Sequence, residues 1–277
     1  MKSSLKNFQL LIIAVLVLLV TNFVSGHQIG DKVTCFKAPA PPTIDGKLNE
    51  WHAQTSITGY LTPDSDNVKG GGWGTTPPKD ADDSSFEIFA MWDENNFYLA
   101  GEIVDNSVLL DNNPEAAPWR SAVDNIEVYG DPMNVGGGSR GVGLGLGIAN
   151  GKVPTVFQSD PMEREALDYD AMVDVPKTSL RVGKTGWILE ARLGKKAFDP
   201  SGIKLEPNHI FGVLFIIDDH DKNGEQHRLL CPANATTALS NAETFKLVFS
   251  AQLAPRSAAV FFQNNLTITW GQIKVAD

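Results

Sequence analysis

Acidic side chains and glycines at regular spacing carry most of the chemistry legible in this chain. Asp219-His220-Asp221-Lys222-Asn223-Gly224 sets side-chain oxygens at positions one, three and five and a glycine at six. That is the first half of a calcium loop, since a hard cation takes oxygen donors and the turn around it needs glycine. Position twelve, where a bidentate glutamate would complete an EF-hand, is Leu230, so no EF-hand is expected. Asp219, Asp221 and Asn223 are the candidate metal ligands; the same residue types also build an ordinary Asp/Asn-rich hairpin turn. Asp124 and Glu127 are the obvious carboxylate pair for hydrolysis. They stand three apart in a strand-like segment, and an odd separation sends them to opposite faces, so they cannot flank one bond. No G-x-S-x-G elbow, H-E-x-x-H motif or Cys/His nucleophile pairing is present, and catalysis is not supported.

The glycines also admit two readings. Gly136, Gly138 and Gly141 fit G-x-G-x-x-G, but a strand follows where a dinucleotide site needs a helix N-terminus. Gly141, Gly143, Gly145 and Gly147 then alternate with Val142, Leu144, Leu146 and Ile148, leaving one strand face bare. Close packing is the favoured use of that face, a floor under a ligand the other. Cys35 and Cys231 are the only cysteines. In an oxidising compartment two cysteines pair most often, and a Cys35–Cys231 bridge is expected; two separate buried thiols are the alternative.

The elements that must position these residues are strands. Phe86, Ile88, Ala90 and Trp92 alternate with Glu87, Phe89 and Met91. The turn cluster Asp93-Glu94-Asn95-Asn96 follows, and Phe97, Leu99, Gly101 and Ile103 resume the alternation, which predicts a β-hairpin. Further strands are expected at Ile126 to Tyr129, Gly141 to Ile148, Trp187 to Leu193, Ile210 to Ile217 and Phe245 to Phe249. Helical periodicity is nearly absent, so the fold class is all-β, an antiparallel sandwich. Residues 55–85, rich in Gly, Pro, Asp and Thr and containing Gly70-Gly71-Gly72-Trp73-Gly74, read as one long inserted loop. Residues 251–277 read as a C-terminal extension with two strand-like runs, Ala258 to Phe262 and Leu266 to Ile273.

Residues 1–26 read as a signal peptide. Lys2 and Lys6 precede the apolar run Leu10 to Val20, and Val24 and Gly26 stand at −3 and −1 of a cleavage site. The run is shorter than the roughly 20 residues that span a bilayer, so no stable membrane insertion is expected. The expected location is secreted, extracellular or periplasmic after cleavage near Gly26, with residues 27–250 as the main domain. Loss of Lys2 and Lys6 with that leader takes the net charge from −10 to −12. Such a surface repels phosphate backbones, which argues against nucleic acid, and it suits divalent cations.

The order of several blocks resembles a family 9 carbohydrate-binding module. Pro42-Thr43-Ile44-Asp45-Gly46-Lys47-Leu48-Asn49-Glu50-Trp51 is similar to the family's opening. Ala90-Met91-Trp92-Asp93, Phe97-Tyr98-Leu99 and Val104-Asp105-Asn106 follow, then Ala117-Pro118-Trp119 and Asp124-Asn125-Ile126-Glu127-Val128. Gly186-Trp187-Ile188-Leu189-Glu190-Ala191 and Ile210-Phe211-Gly212 with Ile217-Asp218-Asp219 complete the series over residues 35–249.

The resemblance implies a β-sandwich related to the DOMON domains and non-catalytic binding of a polysaccharide or oligosaccharide, in support of glycoside hydrolases. It implies that Trp119 stacks on a sugar ring, whose axial C–H face matches a flat indole. Glu127 would accept sugar hydroxyls in charge-assisted hydrogen bonds, and Arg228, next to His227, matches a basic family residue. Structural calcium is implied as well. One departure stands out: the segment that carries the family's second stacking Trp corresponds to Thr236-Thr237-Ala238-Leu239-Ser240-Asn241, with no aromatic residue. Trp73 is the candidate replacement wall. Two other readings use the same sandwich. One is a haem-binding electron-transfer domain with Met162 or Met172 as axial ligand, the other a structural surface domain.

Overall fold

The computed structural model describes residues 28–51, 55–59, 78–109, 124–131, 142–147, 155–159, 169–175, 183–195, 204–232, 235 and 243–254, with backbone alone at 55–59, 142–147, 155–159 and 169–174. Residues 1–26, expected to be a signal peptide, Trp73, Trp119, Met162 and the two runs expected after Ala254 lie outside them. The strands are β1 (Lys32–Lys37), β2 (Thr55–Gly59), β3 (Ser84–Trp92), β4 (Asn96–Asp105), β5 (Asn125–Asp131) and β6 (Val142–Gly147). After them come β7 (Thr155–Ser159), β8 (Tyr169–Asp174), β9 (Gly186–Gly194), β10 (Ile210–His220), β11 (Gln226–Cys231) and β12 (Phe245–Leu253).

Hydrogen bonding follows one path, β7-β6-β5-β10-β12-β1-β3-β4-β9-β8, with β11 added on β10 and β2 on β3. The path curls until its halves face each other, giving the β-sandwich expected from the alternation. Phe86, Ile88, Ala90 and Trp92 of β3 and Trp187, Leu189 and Ala191 of β9 share one core with Ile126, Val128, Val213, Phe215 and Phe249 from the other half. Trp92 stacks on Phe249 at 5.3 Å between centroids, and Phe97 meets Phe211 edge-on at 5.9 Å. Most described pairings are antiparallel, but β1 runs parallel to β12 and, at Phe36 and Lys37, parallel to β3.

Local chemistry sets the key boundaries. The predicted hairpin is β3–β4, paired from Ser84↔Asp105 to Trp92↔Phe97. Asp93 holds its turn, accepting the amides of Asn95 and Asn96 on Oδ1 at 2.7 and 2.8 Å and the Tyr98 hydroxyl on Oδ2 at 2.6 Å. Gly186 opens β9 at φ 145°, where an added Cβ would sit 1.9 Å from the Ile103 carbonyl oxygen. Only glycine fits that approach.

Two expectations are corrected. Residues 55–85 are not one continuous loop: β2 occupies the start and pairs antiparallel with β3, and β3 itself begins at Ser84. Thr55-Ser56-Ile57-Thr58 holds a single apolar residue, so it offers no alternation to read. Cys35 and Cys231 are both buried in the core as free thiols, not bridged. Cys231 is opposite Phe215, whereas Cys35 is opposite Phe249, past the Ile210 end of β10. The offset along the strands is roughly 16 Å or more at 3.3 Å per residue, beyond disulfide reach. Burial pushes both thiols well above the ordinary range.

Candidate functional site

Strand alternation divides the acidic residues of β5 and β10 between two places. Ile126 and Val128 point into the core, so Glu127 and Tyr129 take the outer face of the sheet. Glu127 is paired across the sheet with Ile216, and Asp218, one step along β10, is paired with Asn125 and Arg228. Arg228 Nε donates to Asp218 Oδ1 in a close ion pair. The Tyr129 hydroxyl donates to Glu127 Oε2 at 2.9 Å. Glu127 is only 3% exposed, and its other oxygen, Oε1, has no hydrogen-bond partner. Burial first and the Asp218 charge second push Glu127 up to about 7, against the pull of the Tyr129 hydrogen bond and Arg228. The structure therefore gathers Glu127, Tyr129, Asp218 and Arg228. It directs His227 elsewhere.

The second place is the rim between the two layers. Asp105 ends β4, Asp124 precedes β5 and Asp219 lies near the end of β10. Their carboxylate oxygens come within 4.8 Å of one another, all buried. Asp105 Oδ1 accepts the Ser107 amide at 2.6 Å, and Asp124 accepts the amides of His220, at 2.8 Å, and Leu109. Asp105 Oδ2 and Asp219 Oδ1 have no donor. Burial, with Asp105 adding repulsion, holds Asp124 up to about 9 and Asp219 up to about 8; burial also raises Asp105. Three convergent carboxylates, two of them with an open oxygen, form a donor set suited to a hard divalent cation.

The linear calcium loop is not what forms. Asp219 joins Asp105 and Asp124, while Asp221 joins Asp83 and His227, whose Nε2 lies 3.5 Å from Asp221 Oδ2 and 3.6 Å from Asp83 Oδ2. Asn223 instead closes a turn with Glu225, accepting its amide at 2.8 Å and donating to Oε2 at 3.0 Å. The reason is that β10 runs through His220, so Asp219 is still a strand residue facing inward. Sequence reasoning missed Asp83, Asp105 and His227 as members of these groups and saw Asp124 only as a potential acid. Asp105 and Asp124 stood in the family-like blocks, which was the available signal.

A third buried carboxylate has a different environment. Glu190 on β9 accepts the amides of Asp45, Gly46 and Lys47 on Oε2 at 2.9, 2.5 and 3.1 Å. Its Oε1 accepts Trp51 Nε1 at 2.7 Å. This pins the Asp45–Trp51 segment over β3, β4 and β9, where Leu48 and Trp51 pack on Phe89, Met91, Tyr98 and Ala100. The opening block and the Gly186–Ala191 block thus depend on each other physically. Phe89 and Met91 are buried although they point away from the main core.

Among curated proteins no match is found. The fold is similar to that of a family 9 carbohydrate-binding module from Caldicellulosiruptor kristjanssonii solved with cellotriose. The TM-score is 0.54 and the identity 14%, covering 80% of this chain and 95% of that one. A structure of a family 9 module from the same organism, with glucose, gives a TM-score of 0.50 and 13% identity over 81% and 99% of the two chains. The family described as "Carbohydrate family 9 binding domain-like" matches residues 44–248, and the chain belongs to that family.

Proposed function

We propose that this chain is a secreted, non-catalytic carbohydrate-binding protein whose site is built around Glu127 on the outer face of β5. The observation that carries the reading is Glu127 Oε1, a buried acceptor without a donor, held beside the Asp218–Arg228 pair. Leaving such an oxygen unmet costs free energy, and a sugar hydroxyl supplies the missing donor. Family membership and the cellotriose and glucose held by the structural relatives support the same chemistry. Trp119, five residues before Asp124, is the stacking platform in this reading, and Arg228 holds Asp218 and donates to the sugar.

Calcium is the proposed ion at Asp105, Asp124 and Asp219. There its two positive charges would offset most of the repulsion among three carboxylates and tie the end of β4 to β5 and β10. The Leu109 amide already reaches Asp124, so the two residues that flank segment 110–123, which carries Trp119 in the sequence, meet at this cluster. A glycan array run with and without calcium tests the reading. Binding that is lost in Trp119→Ala and Glu127→Gln and weakened by EDTA supports it. An array with no glycan bound in either condition sinks it.

A further inference from the structure

Beside the aspartate triad lies a second ligand set, and this one contains a nitrogen. Asp219 and His227 are directly paired across β10 and β11, and Ser84, the residue after Asp83, is paired with Asp105 across β3 and β4. After burial, the charges of Asp83 and Asp221 help raise both Asp105 and Asp219, so the two groups are electrostatic neighbours. One donor atom each from Asp83, Asp221 and His227 lies within 4.8 Å of the others. His227 is 2% exposed, and its Nε2 stands 3.5 Å from Asp221 Oδ2 and 3.6 Å from Asp83 Oδ2. Both separations exceed the roughly 2.7–3.2 Å of an N–H···O hydrogen bond, and no hydrogen bond reaches Nε2. A ring nitrogen carries at most one hydrogen, which cannot serve two carboxylates at once. Two donors about 2.1 Å from one tetrahedral ion, in contrast, stand roughly 3.4 Å apart.

We infer that Asp83, Asp221 and His227 form a site for a divalent transition-metal ion of the zinc type, separate from the all-oxygen set at Asp105, Asp124 and Asp219. The inference is independent of the glycan reading. The donors choose the metal: calcium takes six to eight oxygens, whereas an imidazole with two carboxylates suits zinc and leaves a fourth position for water. The ligands are held from behind, as metal ligands are. Asp83 Oδ1 accepts Asn106 Nδ2, and its Oδ2 accepts the Lys79 amide at 2.7 Å. Asp221 is fixed in the turn between β10 and β11, where its amide donates to the Glu225 carbonyl and its carbonyl accepts the Gly224 amide, both at 2.9 Å. Its side chain, 9% exposed, is the least buried of the three and marks the side from which ion and water enter. The ion ties the segment before β3 to the β10–β11 turn, two segments that the Lys79–Glu225 ion pair already links at 3.6 Å.

The test uses the full chain, stripped with EDTA, moved into chelator-free buffer and titrated with zinc, with calcium and with both. One zinc per chain is expected to bind with calcium already present and to raise the melting temperature further. Cobalt in place of zinc should show the visible absorption of a four-coordinate ion. His227→Gln and Asp221→Asn are each expected to weaken zinc binding at least tenfold and to leave calcium binding within a few-fold of the parent's. Asp124→Asn should do the reverse. Asp221→Asn, in the turn and least buried, keeps the test decisive where His227→Gln misfolds. Zinc bound equally well by both variants, or displaced one-for-one by calcium, overturns the inference. A parent protein that binds no zinc at micromolar concentration overturns it too, and leaves His227 as the partner of a proton only; none of these outcomes touches the glycan reading.

Discussion

Glu190 and Glu127 are both buried glutamates on strands of one sandwich, yet their surroundings differ. Glu190 accepts four N–H groups and leaves neither oxygen open, whereas Glu127 accepts one hydroxyl and leaves an oxygen bare. The first environment is that of a structural joint, complete within the protein. The second is complete only when something else arrives. Burial by itself does not distinguish them, since both are almost inaccessible; the count of donors does.

Removing the joint should have the largest effect. Glu190→Ala leaves three amides and an indole N–H without their acceptor and is expected to cost about 3 kcal/mol or more, read as a lowered urea midpoint. A Glu190→Ala protein as stable as the parent would erase the contrast. Next comes the rim, where Asp105 and Asp219 share with Glu127 the mark of an open oxygen. Calcium at a hundred times its dissociation constant should stabilise the fold by about 2.7 kcal/mol, so EDTA should lower the melting temperature. A melt indifferent to EDTA and to added calcium would remove the ion.

The ligand side of the comparison carries smaller numbers. Glu127→Gln keeps the shape and can still accept from Tyr129, so its stability should stay near the parent's. Its glycan affinity should fall about tenfold, near 1.4 kcal/mol, as a charged acceptor becomes neutral. The smallest effect concerns pH. Burial and Asp218 raise Glu127 from an ordinary 4.5 to about 7, and its ionised form is the better acceptor. Affinity should therefore grow a few-fold as pH rises through about 7 and fall as it drops below. Calorimetry at several pH values would show the trend in the parent, and the Gln variant should lack it.

The hairpin Phe86–Ile103 and the strands around Ile126, Trp187, Ile210 and Phe245 were legible because apolar residues alternate there and turn residues bound them. Strands β1, β2, β7, β8 and β11 were not. Gln226-His227-Arg228-Leu229-Leu230-Cys231 is short and mixed, and it gains its strand only by pairing with β10. The opposite-face argument for Asp124 and Glu127 was local, needing only the period of a strand, and the structure separates them as it required. What one segment could not reveal was the company each residue keeps. Asp105, Asp124 and Asp219 come from segments far apart in sequence that only the fold brings together.

The parallel pairing of β1 bears on how the chain folds. Cys35 lies opposite Phe249, and Lys37 touches both Leu253 and Trp92, so an early strand is sealed into place by one of the latest described. Contacts separated by more than two hundred residues carry the largest loop-closure cost and slow folding. A growing chain can close the β3–β4 hairpin at once and add β9 about ninety residues later, but β1 must wait for β12, with that edge unpaired in the meantime. Refolding should accordingly be slow, and fragments lacking Phe245–Leu253 should expose Val33 and Cys35 and tend to aggregate.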